Sequence, residues 1–209
     1  MNPVRRTLVV ALGSAPFVQP LAALAQQQAP RAADYFELNP PQQVEAAGKI
    51  EVLEFFWYGC IHCYNLEARL ETWLKSLPKD VEFRRVPAVF NERWAHDASI
   101  FYTFEALGLL EKLHRPFFDA IHQDRLRTDR WPELSGWLEK HGVDAKKFEQ
   151  TLKSFGVQSK TKRSIRLTTA YKIDGTPAMA VHGRYTVSAG DTMLDTVNQL
   201  VASVRKNKQ

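Results

Sequence analysis

A nearly continuous apolar run that leads directly into a helical pattern constrains the fold of this chain most. The run Ile50–Phe56 has the length of a strand that is covered on both faces. Apolar residues then recur at helical spacing until Pro78; they are Leu66, Leu70, Trp73, Leu74 and Leu77. A second strand-like run extends from Val81 to about Val86. Because strands joined by such a crossover are parallel, the order predicts two parallel neighbours.

The next part of the chain, from about Asn91 to Tyr171, has helical periodicity and no strand run of comparable strength. Pro116 is expected to open a short helical segment, and Asp144 is expected to cap a later helix. The apolar face of that later helix is predicted to comprise Phe148, Leu152 and Phe155. Strand patterns then return as Ala178–Val181 and Arg184–Val187, which predict an antiparallel hairpin.

These elements predict an α/β fold, in which a central mixed sheet is flanked by helices and interrupted by an all-helical subdomain. The expected division of the chain is a signal peptide at 1–25, a sheet-bearing domain at 26–90 and 172–209, and a helical insertion at 91–171. After the signal, the 209-residue chain is still long enough for one core with an inserted subdomain.

The N-terminus has the pattern of an export signal. Arg5 and Arg6 precede an apolar stretch, and Ala23-Leu24-Ala25 supplies a cleavage pattern of small residues. A membrane anchor is the alternative, but prolines interrupt a stretch that is short for a span. The arginine pair leaves the choice between the general secretory and twin-arginine routes open.

The net charge of the chain is small and basic. Removing the signal lowers the formal charge from +5 to +3, because it contains two arginines and no acid. Such a mild excess does not indicate nucleic-acid binding. The densest basic run has the spacing of a solvated helix face, with a polyanion patch as the alternative; it comprises Lys160, Lys162, Arg163 and Arg166.

The chain has only two cysteines, Cys60 and Cys63, which lie at the junction between the first strand and its helix. A bridge across such a short interval closes almost no loop, so its contribution to stability is small and a chemical role is favoured. Structural zinc is the main alternative, but it needs about four ligands and the remaining histidines form no matching pair. We therefore expect no metal and no cofactor other than a redox-active disulfide.

A helix start gives this cysteine pair a specific use. Backbone N–H groups and the helix dipole stabilise a thiolate at Cys60, while Cys63 lies one turn deeper and is placed to resolve a mixed disulfide. His62 is placed to donate toward Cys60; the alternative is a surface histidine without a role. A strongly stabilised thiolate favours the reduced state, so the site is expected to oxidise its clients.

Two further positions point to the same site. Glu54 precedes Cys60 by six residues within the apolar strand, and burial would raise its pKa so that it could carry the proton of Cys63. A solvent-facing Glu54 is the alternative. Pro177 follows Thr176 at the start of the hairpin, and position alone predicts a trans peptide bond there.

Four segments resemble the DsbA family of periplasmic thiol:disulfide oxidoreductases, which belongs to the thioredoxin superfamily. They are Leu53–Glu67 (LEFFWYGCIHCYNLE), Leu107–Lys112 (LGLLEK), Arg115–Ile121 (RPFFDAI) and Gly175–Val187 (GTPAMAVHGRYTV). The resemblance runs through the mature chain in order and implies a thioredoxin fold with the helical insertion in its expected place.

The resemblance also implies roles for individual residues. Cys60 matches the exposed nucleophile and Cys63 the buried resolving cysteine, while Thr176 and Pro177 match a cis-proline loop that pairs with extended clients. Glu54 matches the buried acid of the family.

The remaining matches concern the surroundings of the cysteines. Glu67 and Arg85 fall where the family has a charged pair near its acid, and Ile61 departs from the proline that many members have, which affects the strength of the oxidant. Trp57, Tyr58 and Met179 are expected to rim the site as an apolar contact surface, with core packing as the alternative.

The implied function is that of a monomeric periplasmic oxidase that donates its disulfide to newly exported, unfolded, cysteine-containing proteins. A membrane partner of the DsbB type, linked to quinone, is implied as its reoxidant, and no nucleic acid is involved. Three alternatives stay open at this point: a disulfide isomerase or reductase, a glutathione-dependent transferase or isomerase on the same fold, and a binding module without turnover.

Overall fold

The structure is a computed structural model that describes residues 34–207. The predicted signal peptide lies outside these residues. Within the described part, no helix has the length and apolar character needed to cross a membrane.

The described residues form five strands and seven helices. The strands are β1 Phe36–Glu37, β2 Ile50–Phe56, β3 Val81–Pro87, β4 Ala178–Val181 and β5 Tyr185–Ser188. The helices are α1 Ile61–Lys75, α2 Glu92–Ala106, α3 Leu110–His122, α4 Trp131–Lys140, α5 Ala145–Leu152, α6 Phe155–Ala170 and α7 Met193–Asn207.

All five strands belong to one mixed sheet with the order β1-β5-β4-β2-β3. β2 is parallel to β3, as the crossover predicts, and β4 is antiparallel to β5, as the hairpin predicts. β2 also pairs with β4, in the antiparallel direction. The register places Glu54 of β2 opposite Arg85 on one side and Met179 on the other. Every residue of β2 is buried, which explains its continuous apolar character.

The segment between β3 and β4 contains five consecutive helices, α2 to α6. Three of them begin with side chains that accept a hydrogen bond from a backbone N–H three residues ahead, namely Asn91, Asp144 and Ser154. The fold is the mixed sheet flanked by helices that the sequence predicts, and the domain boundaries drawn through it stay a prediction.

The core has separate parts on the two faces of the sheet and in the helical segment. On one face α1 and α7 pack through residues such as Leu70 and Val197. The cluster in the helical segment includes aromatic side chains of α2 and α3 and reaches Cys63. The reactive end of α1 is therefore packed against the helical segment and not against the sheet alone.

Three details of the sequence interpretation are wrong. Pro116 does not open a helix but lies inside α3, which begins six residues earlier, because the apolar face of α3 packs firmly enough to keep the helix through the proline. Phe155 does not continue the apolar face of α5; Ser154 caps a new helix there, and Phe155 is 88% exposed. The two-residue strand β1 was not predicted, because its pattern is too short to detect.

Candidate active site

Cys60 is the N-cap residue of α1. Its backbone is extended, and its sulfur accepts a hydrogen bond from the backbone N–H of Cys63 at 3.3 Å. The largest effect on the pKa of Cys60 is a hydrogen bond from the Cys63 thiol, which lowers it. Burial raises this pKa. Hydrogen bonds from Thr176 and from the backbone N–H groups of Cys63 and His62 lower it further. The result is a Cys60 pKa of about 5.

Cys63 has the opposite electrostatics although it lies only one helical turn away. Its side chain is completely buried, and this desolvation, together with the neighbouring Cys60 and the carboxyl of Glu54, raises the pKa of Cys63 far above its usual value. Both cysteines are free thiols in this structure. The pair thus combines one acidic, accessible sulfur with one buried sulfur that holds its proton.

The Thr176–Pro177 loop faces this pair from the start of β4. The Cys60 thiol donates to the backbone carbonyl of Thr176 at 3.3 Å, and the Thr176–Pro177 peptide bond is cis, as the resemblance implies. The loop is held there because Ala178, the next residue, pairs with Phe55 near the end of β2.

The two residues between the cysteines are exposed. Ile61 is 48% exposed and stands beside Cys60 as an apolar surface residue. The His62 side chain is exposed and makes no hydrogen bond with a described residue, whereas the backbone N–H of His62 helps to lower the pKa of Cys60. The role predicted for its imidazole stays a prediction.

A buried charged network lies beneath the cysteines. Glu54 is completely buried, and burial raises its pKa to about 8 despite the opposing charge of Arg85, whose Nε lies 3.1 Å away. Arg85 Nη2 also donates to the carboxylate of Glu67 at 3.1 Å. Burial would raise the pKa of Glu67, but His114 and Arg85 outweigh it and lower that pKa. Thus the predicted trio does come together, with one acid protonated and the other ionised at neutral pH.

His114 extends this network and was not predicted as a site residue. Its Nε2 lies 3.5 Å from Glu67, and its Nδ1 lies 2.9 Å from the hydroxyl of Tyr58. Burial lowers the pKa of His114, so the ring is neutral at neutral pH. His122, also on α3, forms a hydrogen bond from its Nε2 to the backbone carbonyl of Tyr58 at 2.8 Å. The only sequence signal for His114 was a polar residue on the otherwise apolar face of α3.

Of the three residues expected to rim the site, only Trp57 is partly exposed. Tyr58 and Met179 are 1% and 0% exposed, so they are core side chains and offer no contact surface. The reason is that Tyr58 packs among the aromatic rings of α2 and α3, while Met179 lies in a central strand under α1.

Trp57 is held in place by two side chains of α2. Its indole stacks on Trp94 with the ring centroids 4.2 Å apart, and its Nε1 donates to Asp97 at 2.7 Å. The ring also covers Gly59, where a Cβ atom would collide with it. Phe90, which is 44% exposed, packs edge-on against Trp94. Trp94 and Phe90 were missed from sequence because they lie in a different element from the cysteines.

Potential metal ligands are dispersed through the part of the chain that the structure describes. Between residues 34 and 207, no cluster of three or more His, Cys, Asp or Glu side chains could hold a metal ion.

Comparisons with known proteins agree with this geometry. The sequence model of the DSBA-like thioredoxin domain family matches residues 85–202. A thiol:disulfide interchange protein DsbA from Azotobacter vinelandii is 42% identical over 156 residues, covering 75% of this chain and 73% of the relative. The chain belongs to the DsbA family. DsbA from Burkholderia cepacia is 39% identical over 189 residues, covering 88% of this chain and 86% of the relative.

Solved DsbA structures share the fold as well. Pseudomonas aeruginosa DsbA superposes with a TM-score of 0.79 at 35% identity, covering 84% of this chain and 94% of that one. The oxidoreductase DsbA from Xylella fastidiosa superposes with a TM-score of 0.80 at 30% identity, covering 86% of this chain and 100% of that one. The chain therefore has the DsbA-type thioredoxin fold and is a protein disulfide oxidoreductase that acts by dithiol–disulfide exchange.

Proposed function

We propose that this DsbA protein is an exported oxidase that donates a Cys60–Cys63 disulfide to newly translocated proteins in the periplasm. The observation that carries the proposal is the contrast between the two sulfurs, since the pKa of Cys60 is lowered to about 5 while that of Cys63 is raised. At neutral pH the reduced form is then stabilised as a Cys60 thiolate, and a stabilised reduced form makes the disulfide a strong oxidant. Exchange with client thiols therefore favours oxidation of the client.

The proposed reaction has two exchange steps. A client thiolate attacks the sulfur of Cys60, the Cys60–Cys63 bond breaks, and Cys63 leaves as a thiolate that takes up a proton. A second client thiolate then attacks the client sulfur of the mixed disulfide. Cys60 leaves as the stable thiolate, the client gains a disulfide, and the protein is left reduced by two electrons.

Glu54 is proposed as the source and acceptor of the proton that Cys63 exchanges. With a pKa of about 8 it is protonated at neutral pH and so has a proton to donate. In its ionised form the same carboxylate raises the pKa of Cys63, so the two groups interact. Arg85 is proposed to keep Glu54 in place, because its Nε lies 3.1 Å from the Glu54 carboxyl while its Nη2 is held by an ion pair with Glu67 at 3.1 Å. When Cys60 is reoxidised and Cys63 attacks in turn, the same carboxyl takes the proton back.

Client binding is proposed to use the loop at Thr176 and Pro177, because it is in contact with Cys60. An extended client segment would pair with the backbone there, next to the indole of Trp57 and the exposed Ile61. His62 is proposed to support the thiolate when its imidazole is protonated. Ile61 is proposed to tune the potential, since it occupies the interval between the two sulfurs.

Export by the N-terminal signal, action as a monomer and reoxidation by a quinone-linked membrane partner of the DsbB type complete the proposal. They are supported by the signal pattern of residues 1–25 and by the membership of the DsbA family.

An equilibrium with glutathione tests the direction of the reaction. The protein is mixed with buffers that contain reduced and oxidised glutathione in a series of known ratios. We expect it to be largely reduced at ratios that leave thioredoxin-like disulfides oxidised. A disulfide that persists in strongly reducing buffer would reject the oxidase and favour a reductase. Cys60→Ser abolishes exchange in either case, which checks that the cysteine pair is the reacting group.

A further inference from the structure

We propose that the open edge of β3 is a second binding site for extended client segments, which pair with it as an additional strand. The inference rests on the proposed function, because it assigns a second contact to the same unfolded clients. The site lies along α1 from the cysteines and shares none of the residues proposed to touch the client at Cys60.

The backbone of β3 is available for pairing. β3 is the last strand of the sheet and pairs only with β2 among the described strands. The carbonyl of Asp80 accepts a hydrogen bond from the backbone of β2, and the amide of Ala88 donates one to it. The backbone groups of the even-numbered residues of β3 therefore point toward β2. Since backbone groups alternate along a strand, the N–H and C=O groups of Phe83 and Arg85 point to the open edge.

A cleft of about 710 Å³ runs along this edge, lined by the consecutive residues 83–86 of β3. Leu74 of α1 and Phe101 of α2 supply apolar walls, while the charged residues lie around them. The volume is in the range of sites that enclose ligands. An added strand would therefore find apolar surface on one side and free backbone groups on the other.

The charges of the cleft favour a basic segment. Its five cations already have acidic partners. The pairs are Arg84 with Glu45 and Glu51, Arg85 with Glu67, Arg115 with Asp119, Lys160 with Glu105, and Arg163 with Glu45. Glu71 and Glu111 also line the cleft, and both are exposed and form no ion pair with a described residue. Lysine or arginine side chains of an extended segment would thus meet two uncompensated carboxylates.

The distance to the cysteines allows one client chain to use both sites. Glu67, Glu71 and Leu74 lie on one face of α1, and Glu71 is eight residues beyond Cys63, or roughly 12 Å along the helix axis. An extended chain covers that distance with roughly four residues. Engagement of both sites would raise the effective concentration of a client thiol at Cys60.

A cysteine-free peptide tests the site without any thiol exchange. The probe is an acetylated and amidated peptide of alternating valine and lysine, mixed with the oxidised protein, and the readout is amide hydrogen exchange resolved by residue. We expect slower exchange at Phe83 and Arg85. The double variant Glu71→Lys and Glu111→Lys is expected to weaken binding about tenfold.

The matched control is Glu139→Lys, which reverses an exposed acid on α4, outside the cleft, and is expected to bind the peptide as the unmodified protein does. Equal affinity in the double variant, or protection confined to Cys60 and the Thr176–Pro177 loop, would overturn the β3 site. Either outcome leaves the oxidase proposal intact, because the glutathione equilibrium tests that proposal separately. Conversely, a disulfide that persists in strongly reducing glutathione buffer, together with normal peptide binding at β3, would reject the oxidase proposal and leave the peptide site standing.

Discussion

The backbone N–H of Cys63 donates to the sulfur of Cys60 across 3.3 Å, so the contact that caps α1 also stabilises a thiolate. A single backbone geometry therefore starts the helix and prepares the nucleophile. The electrostatic asymmetry of the pair follows from this placement, because only one of the two sulfurs sits outside the first turn.

Titration of the reduced protein should show a Cys60 thiolate with a pKa of about 5, compared with 9.0 for the unperturbed group. Cys63→Ala removes the thiol that lowers this pKa most, so the midpoint is expected to rise toward 9.0. His62→Ala retains the backbone N–H and measures the imidazole alone. Ultraviolet thiolate absorbance followed against pH gives the midpoints. A midpoint near 9.0 in the unmodified protein would contradict the assignment.

Reduction is expected to stabilise the fold at neutral pH. The folded pKa of Cys60 is lowered, so the stabilisation is complete above the unfolded value of 9.0 and disappears as the pH falls through about 5. The difference in melting temperature between reduced and oxidised protein should therefore shrink from pH 9 toward pH 5. Thermal unfolding of both forms across this range measures it, with a Cys60→Ser, Cys63→Ser double variant as the control without redox states. A difference that stays constant with pH would exclude thiolate stabilisation as its cause.

Much of this site could be predicted from sequence because its residues lie close to one another in the chain. The strand Ile50–Phe56 and the helix start at Cys60 follow from local periodicity, and the family resemblance adds the distant Thr176–Pro177 loop. Burial of Glu54 also follows from its position in a continuous apolar strand.

The missed features depend on packing between distant elements. His114 joins the charged network only because α3 packs against α1, and Trp94 reaches Trp57 only because the first turn of α2 lies beside the residue that follows β2. The sequence predicts Tyr58 at the rim of the site, whereas it lies in the core, because an aromatic residue near a reactive cysteine is compatible with both the surface and the core. Local periodicity contains no information about which helix covers such a side chain.

Replacing the buried acid should slow the release of Cys63. Glu54→Gln keeps the shape of the side chain but cannot donate a proton, so we expect disulfide donation to slow by roughly 10²-fold. Glu51→Gln is the matched control, because Glu51 is equally buried on the same strand but faces the other side of the sheet. Stopped-flow measurement of client oxidation compares the variants, and an unchanged rate for Glu54→Gln would remove Glu54 from the proton path.

The same variant should change how stability depends on pH. The folded pKa of Glu54 is raised from 4.5 to about 8, so folded wild-type protein keeps a proton that the unfolded chain releases, and its stability falls as the pH rises through that window. Glu54→Gln has no such proton. Its free energy of unfolding relative to wild type should therefore increase between pH 4.5 and 8, as measured by urea denaturation. A pH-independent difference would mean that Glu54 does not titrate there.

A methyl group at Gly59 should disturb the surface beside Cys60. The added Cβ would collide with the ring of Trp57, which cannot easily move because Asp97 and Trp94 hold it. We expect Gly59→Ala to destabilise the reduced protein by about 1–3 kcal/mol, as overpacking does.

The control for this substitution is Gly136→Ala in α4. A Cβ there meets no atom within 4 Å, and alanine in place of a helical glycine stabilises by up to about 1 kcal/mol. Urea denaturation gives both free energies of unfolding, and near-ultraviolet circular dichroism reports the Trp57–Trp94 stack. Opposite signs for the two substitutions are expected because the same added methyl group meets a fixed indole at one position and open space at the other. Equal stability of Gly59→Ala and wild type, with an unchanged aromatic spectrum, would show that the indole is free to move aside.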